Sequence, residues 1–455
     1  MIVTVNPATG EQLAEYQELD ETGIEAALTR SQAAFERWRA SGLEERTALL
    51  ARLANAYEAN TDRLARQATL EMGKTFASAK AEVGKCAALF RYLSEEGPTL
   101  LKPERWELPG GGVAEGHWLP LGPVLAVMPW NFPYWQVVRF LAPTILAGNT
   151  GLLKHASSVQ GVAALLEEMM GEAGAPDGLF QNLPIRSGPV ARIIADNRVV
   201  AATLTGSEGA GAAVAEVAGK HLKKVVLELG GSDPFIVMPS ANLDDAVKNA
   251  VKARIQNTGQ SCICGKRMIV HADIYDAFLD RFTAAMAQVR AGDPFDPATD
   301  MGPLSSIEQR DTVLEQVAKA REEGATVALA PEQPDGPGAY LTAGVLTDVP
   351  PGSVTARDEI FGPVAQVYRA ADIAEAIQLA NDIPFGLGSS VWTEDKAEQD
   401  RFIREIEAGM TAVNQVLASD VRAPFGRIKK SGYGRELSEH GLHEFMNLKT
   451  VMGVA

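Results

Sequence analysis

Leu125-Ala126-Val127-Met128, Thr150-Gly151-Leu152-Leu153-Lys154, Val200-Ala201-Ala202-Thr203-Leu204 and Lys224-Val225-Val226-Leu227-Glu228 are four short, mostly apolar runs. Between them lie stretches of helical character at roughly 136–146, 158–173 and 188–196, where apolar residues recur every three or four positions. A run of four to five apolar residues bounded by such stretches reads as a strand buried on both faces. The alternation predicts an open parallel sheet with helices on both sides and a nucleotide site at the carboxyl ends of its strands. Upstream, residues from about 23 to 93 are rich in Ala, Leu, Glu and Arg with helical spacing, and should shield that sheet. A second alternating block follows from about 234 to 413, with strands such as Phe235-Ile236-Val237-Met238, Arg267-Met268-Ile269-Val270 and Gly388-Ser389-Ser390-Val391-Trp392. The fold class is therefore α/β.

The common dinucleotide fingerprint Gly-x-Gly-x-x-Gly is missing from the sequence. In its place Gly206-Ser207-Glu208-Gly209-Ala210-Gly211 opens a helix after the strand at Val200. The most informative chemical stretch is Asn257-Thr258-Gly259-Gln260-Ser261-Cys262, which comes after Glu228-Leu229-Gly230-Gly231. A cysteine flanked by glycine and small polar residues can sit on a tight turn, with its sulfur toward a substrate and backbone N–H groups toward the reacting oxygen. Taken alone, Cys262 fits a buried structural thiol equally well.

Composition narrows the classes. A chain of 455 residues has room for two or three domains. The formal net charge of -16 disfavours nucleic acid and anionic membrane surfaces as partners. Cys86, Cys262 and Cys264 are too few for a disulfide framework and fit a reducing, cytoplasmic compartment. No secretory signal pattern opens the sequence, and Arg139, Pro143 and Asn149 interrupt the longest apolar stretch, so no membrane span is expected. His440 and His443 lack a third ligand nearby, and no metal is expected. Cys264, two residues beyond Cys262, projects to the opposite side if the segment is extended, which argues against a bridge between the two.

The pair Asn-x-Gly-Gln-x-Cys and Glu-Leu-Gly-Gly resembles the active-site signatures of the NAD(P)-dependent aldehyde dehydrogenase superfamily. The likeness runs nearly end to end: Val5-Asn6-Pro7-Ala8-Thr9-Gly10-Glu11, Glu71-Met72-Gly73-Lys74, Pro129-Trp130-Asn131-Phe132-Pro133, Thr205-Gly206-Ser207, Glu359-Ile360-Phe361-Gly362-Pro363, and Pro424-Phe425-Gly426 before Lys430-Ser431-Gly432. Within the superfamily the sequence is similar to succinate-semialdehyde dehydrogenases of the short bacterial type. The resemblance implies an atypical Rossmann cofactor domain (1–104 and 122–230), an α/β catalytic domain (231–425) and a β-strand oligomerisation arm (105–121 and 426–455). An exposed strand edge on such an arm is an aggregation hazard in a monomer, so a homodimer or homotetramer is expected.

By the same resemblance Cys262 attacks the aldehyde, Asn131 and the Cys262 backbone N–H stabilise the oxyanion, and Glu228 activates the water that hydrolyses the thioester. Glu228 ends an apolar strand, where partial burial can make it a useful base. Trp130, Lys154, Ser157, Gly206, Ser207, Leu229, Glu359 and Phe361 are the expected cofactor-binding residues. NAD-specific members tend to carry glutamate where this chain has Ser157; serine leaves the Lys154 charge available for a 2'-phosphate, so NADP is expected to be preferred over NAD. Trp135, Arg139, Ser261, Ile263 and Ser419 are expected to line the substrate tunnel. Arg139, two helical turns after Asn131, is the expected receiver of a substrate carboxylate. Semialdehyde dehydrogenases match at Arg139 and Ser419 but often carry arginine where this chain has Gln256, which leaves the diacid open. The expected reaction is oxidation of succinate semialdehyde to succinate; the alternatives are the same chemistry on glutarate semialdehyde or an aliphatic aldehyde, and a non-catalytic member of the fold.

Overall fold

The computed structural model describes residues 1–453, so positions 454 and 455 of the expected arm lie outside the described residues. After an antiparallel pair of strands, Ile2–Val5 and Gln12–Tyr16, come four helices, Glu21–Trp38, Leu43–Ala59, Thr61–Met72 and Phe76–Leu100, with a core that includes Leu50, Leu53, Tyr57 and Phe90. The first sheet has six strands in the order Gly432–Tyr433, Lys224–Glu228, Ala201–Thr205, Pro123–Met128, Thr150–His155, Phe180–Asn182. All neighbours are parallel except the Gly432–Tyr433 edge, which is antiparallel. Helices on both faces explain the continuous apolar runs: every residue of Ala201–Thr205 is buried.

The order of this sheet sets the cofactor side. From Pro123–Met128 the chain steps outward to Thr150–His155 and Phe180–Asn182, then returns to the other flank at Ala201–Thr205. The reversal opens a crevice between the carboxyl ends of Pro123–Met128 and Ala201–Thr205. Trp130 and Asn131 follow the first of these strands, and Gly206 and Ser207 the second.

A second sheet has seven strands in the order Thr326–Leu329, Gly344–Thr347, Val364–Ala370, Gly265–His271, Asp233–Val237, Ser390–Trp392, Ala412–Val413. Only its outermost pair, Thr326–Leu329 with Gly344–Thr347, is antiparallel. The third sheet is a hairpin, Glu104–Leu108 with Gly112–Pro120, extended by the strand Met446–Met452. Trp106, Leu119, Leu448 and Met452 on it are exposed.

The segment 426–445 does not stay with that hairpin. Ile428–Lys429 pairs with Phe385–Gly386, Gly432–Tyr433 pairs with Leu227 and Glu228, and Arg435–Glu436 pairs with Phe425–Gly426. Ser431 knots these together: its hydroxyl donates to the Gly230 carbonyl at 2.7 Å and accepts from the Gly386 N–H at 3.0 Å. The end of the Glu228 strand is thereby tied to the small two-stranded sheet of Phe385–Gly386 and Ile428–Lys429. No helix among the described residues is long and apolar enough to cross a membrane.

Candidate active site

Cys262 lies on a turn between the helix Leu243–Ile255 and the strand Gly265–His271. The approach is unusual: Asn257, Thr258 and Gly259 all adopt left-handed backbone, with φ of 54°, 57° and 74°. Asparagine and glycine tolerate this region and a β-branched threonine does not, so the turn survives because its surroundings over-determine it. Asn257 Nδ2 donates to the Asn131 carbonyl at 2.8 Å, and the Thr258 hydroxyl donates to the Gly302 carbonyl at 3.2 Å. At Gly259 a Cβ would meet the Gly362 backbone at 2.3 Å, so no side chain fits there. Beyond the cysteine, the buried Lys266 ammonium donates to the carbonyls of Ser261 and Cys262, both at 2.8 Å, and pairs with Glu359 at 3.0 Å.

Asn131 is brought to this turn by the loop after Pro123–Met128. Its Nδ2 donates one hydrogen bond, to the Gln260 carbonyl at 3.0 Å, and its Oδ1 accepts from Gln136 at 2.9 Å. That fixes the amide and leaves its second N–H without an acceptor among the described residues. The Cys262 backbone N–H is likewise without an acceptor among them. These two donors without acceptors belong to residues that line one cavity together. The loop itself is anchored by Glu82, whose Oε1 accepts from the N–H groups of Tyr134 and Trp135 at 2.8 and 2.9 Å, while Oε2 pairs with the buried Lys74. A carboxylate at the start of the helix Trp135–Ala147 complements both its dipole and its free N–H groups.

Glu228 is buried, and two guanidinium groups hold it. Arg427 Nη1 donates to Oε1 at 2.5 Å and Arg139 Nη2 to Oε2 at 2.6 Å. Arg139 Nη2 also pairs with Glu436 Oε2 at 2.7 Å, and its guanidinium stacks over Phe425 at 4.6 Å. Burial holds the Glu436 carboxyl above its ordinary range, against the pull of Arg139. Burial also pushes the Cys262 thiol up, with Glu228 adding to the effect and Arg139 and Lys266 opposing it.

Two cavities converge on Cys262. One, of about 360 Å³, is lined by Pro129, Trp130, Asn131, Thr205, Gly206, Ser207, Glu228, Leu229, Gly230, Glu359 and Phe361 as well as Cys262. The other, of about 170 Å³, is lined by residues that include Lys85, Trp135, Arg139, Gln256, Ser261, Ile263, Ser419 and Phe425. The first thus gathers Trp130, Gly206, Ser207, Leu229, Glu359 and Phe361 of the expected cofactor residues. Lys154 and Ser157 are not in its lining; they lie at the end of Thr150–His155 and the start of the turn Ser157–Val159. The second gathers all five expected substrate residues.

A dinucleotide fits the residues present. Ser207 caps the helix Glu208–Lys220, whose first N–H groups lack intrahelical acceptors, and the Thr205 hydroxyl is buried without a partner among the described residues. Gly230 lets the Glu359 carboxylate approach its backbone, where a Cβ would lie 2.5 Å from Oε2. Lys154 is partly buried and has no carboxylate partner among the described residues; burial lowers its pKa. Among the described residues no cluster of three or more His, Cys, Asp or Glu is placed to hold a metal ion.

The profile of the aldehyde dehydrogenase family matches residues 1–451. The chain belongs to this family. It is 50% identical over 452 residues, 99% of each chain, to a Mycobacterium tuberculosis protein named succinate-semialdehyde dehydrogenase, NADP(+). Among solved structures it superposes with a TM-score of 0.97 on succinic semialdehyde dehydrogenase from Streptococcus pyogenes in complex with NADP+, at 38% identity over 99% of both chains. It also superposes with a TM-score of 0.95 on PnpE in complex with nicotinamide adenine dinucleotide, at 32% identity over 99% of this chain and 93% of that one.

In this aldehyde dehydrogenase Arg139 lines the expected cavity and carries two contacts that the sequence reading did not include, to Glu228 and Glu436, both through Nη2. Its Nε is buried without a partner among the described residues. Sequence reasoning also missed Lys266, four residues beyond the cysteine, and Arg427, Glu82 and Glu436, which meet the site from far along the chain. Arg427, directly after the Pro424-Phe425-Gly426 motif, and Lys266, four residues after Cys262, are the ones that proximity to a motif would have flagged.

Proposed function

We propose that this aldehyde dehydrogenase oxidises succinate semialdehyde to succinate with NADP+, and uses NAD+ less well. The observation that carries the reading is the meeting of two separate cavities at one sulfur, flanked by two unspent N–H donors and a carboxylate. The relatives named for this substrate support its choice.

Each step follows from the residues. Cys262 gives its proton to solvent and the thiolate bonds to the aldehyde carbon, moving the C=O π pair onto the oxygen, which, now negative, is met by the second Asn131 N–H and the Cys262 N–H. A nicotinamide held beside Cys262 by the cavity that Trp130, Ser207, Glu359 and Phe361 line would supply the acceptor for the hydride of that carbon, and Cys262 would then carry the acyl group as a thioester. Glu228 then takes a proton from water, and the resulting hydroxide displaces the sulfur and releases the acid. To serve as base, Glu228 must turn one oxygen from its arginines toward the shared cavity. Comparing kcat/KM for succinate semialdehyde, glutarate semialdehyde and butanal tests the substrate. Equal values for the three would overturn it.

Cofactor choice is assigned to Lys154 and Ser157. Ser157→Glu is expected to lower kcat/KM for NADP+ by roughly tenfold or more, the equivalent of about 1.4 kcal/mol, by placing a like charge beside the 2'-phosphate. Activity with NAD+ should hold or rise. An unchanged ratio of the two would remove Ser157 from this role.

We assign the three-stranded arm to self-association, because its exposed apolar residues lie beside unpaired strand edges. Sedimentation should give two or four times the 48.5 kDa chain mass. A species of one chain mass at micromolar concentration would refute it. The three free cysteines and the acidic surface fit a cytoplasmic enzyme.

A further inference from the structure

Lys266 carries a buried charge that the reaction above does not use. It stands on the strand Gly265–His271, just beyond the sulfur, with a side chain only 1% exposed. The ammonium donates to the Ser261 and Cys262 carbonyls, both at 2.8 Å, and lies 3.0 Å from Glu359 Oε1. That oxygen is buried and makes no hydrogen bond among the described residues, so charge is what joins the two. Asp233, on the adjoining parallel strand Asp233–Val237, also senses Lys266: burial raises its carboxyl to about 7 against the pull of that ammonium.

A tie to two carbonyls does not need an ion. A neutral amide could donate to both, without the cost of taking an ammonium out of water. The charge becomes intelligible at the sulfur. Burial, the largest effect, disfavours the Cys262 thiolate, as do Glu228 and Glu359, whereas Arg139 and Lys266 favour it. Arg139 is shared between Glu228 and Glu436. Lys266 and Glu359 form a separate pair whose two ends act on that sulfur with opposite signs, and Glu359 lines the same cavity as Cys262. Inside the protein each end counts for more than it would in water.

We propose that Lys266 is a positioning residue for the nucleophile: held against the Ser261 and Cys262 carbonyls, its ammonium favours the thiolate, and the Glu359 carboxylate masks that charge in part. The proposal rests on Cys262 as the attacking sulfur, as read above, and not on which aldehyde it meets. No chemical step is added. The thiol proton still leaves to solvent, and the pair governs how readily it does so.

The test is alkylation of Cys262 by iodoacetamide in the enzyme without cofactor or aldehyde, read by mass spectrometry on the Cys262 peptide; Cys86 and Cys264 are fully buried and should react far more slowly. At mildly alkaline pH, Lys266→Met is expected to slow the reaction about tenfold and to move its pH profile upward, because the thiolate loses a nearby cation. Glu359→Gln is expected to speed it about threefold and to move the profile downward, since an amide no longer masks the ammonium. A purely structural tie predicts otherwise: breaking it from either end loosens the turn and moves both rates the same way. Glu82 and Lys85 line the substrate cavity with Cys262, and Glu228, Arg139, Glu436 and Arg427 form the other charged cluster beside it. With Asp233, all are common to the variants, so the difference isolates the pair. Shifts of the same sign, or a wild-type rate in either variant, overturn the proposal. Should Lys266→Met fail to fold, Glu359→Gln decides alone, a faster reaction supporting the proposal and an unchanged or slower one refuting it. Near-normal turnover by Cys262→Ala would instead remove the covalent reading on which it rests.

Discussion

Replacing Cys262 with alanine is expected to abolish aldehyde oxidation, with kcat falling at least about 10⁴-fold, the scale seen when a covalent nucleophile is removed. The methyl group cannot bond to the aldehyde carbon, and no other thiol replaces it: Cys264 is fully buried, with its sulfur turned to the Gln256 carbonyl at 3.4 Å. Cofactor binding should survive, since the sulfur is only one of the groups lining that cavity, and titration by fluorescence would measure it. The turn itself should hold, because Lys266 grips backbone carbonyls rather than the cysteine side chain. Mass spectrometry of the wild-type enzyme quenched in turnover should find the acyl group on the Cys262 peptide. Near-normal turnover by the alanine variant, or acyl label elsewhere, would end the covalent scheme. The raised thiol pKa adds a sign: without cofactor, alkylation of Cys262 should accelerate as pH rises through the alkaline range, because only the thiolate reacts.

Glu228→Gln is expected to separate the two halves of the reaction. Bond formation and hydride loss can proceed, so a rapid burst of NADPH near one equivalent per active site should appear. Steady turnover should then slow by roughly 10² to 10⁴-fold, because an amide cannot take the proton from water. The substitution also removes a negative charge between two buried guanidinium groups. Arg139 retains Glu436, whereas Arg427 keeps only the Leu227 carbonyl, to which its Nε donates at 2.6 Å. Breaking a buried pair can cost about 3 to 5 kcal/mol, although an amide oxygen still accepts, so a lower Tm should accompany the burst. A variant without burst, slow from the first turnover, would move Glu228 to the thiol-activation step. One with unchanged steady rate would remove it from catalysis.

The sheets could be read from the sequence because they are buried on both sides. Pro123–Met128, Thr150–His155, Ala201–Thr205 and Lys224–Glu228 appear as apolar runs for that reason, and their alternation with helices points to the parallel sheet. The residues that surround the sulfur were carried by motifs. What escaped were contacts between distant parts of the chain. Arg427 meets Glu228 across 199 positions, and Glu82 meets Tyr134 and Trp135 across 52 and 53. Helical spacing placed Arg139 correctly beside the tunnel, but a spacing rule cannot see that Glu436 returns from the far end of the chain to compete for it. The left-handed run at Asn257–Gly259 was invisible too, since Thr258 has no local preference for it and is forced there by the Gly302 carbonyl and the neighbouring loops.

The sulfur that borders two cavities also governs traffic. On the proposed assignment an aldehyde would arrive past Ser419 and Trp135 and the nucleotide past Ser207 and Glu359, so neither would have to vacate for the other to move. The finished acid can depart through the doorway its precursor used while the dinucleotide stays in place. Exit of acid and exchange of nucleotide then become separately adjustable rates on one enzyme, and obstruction at either mouth slows only its own passenger.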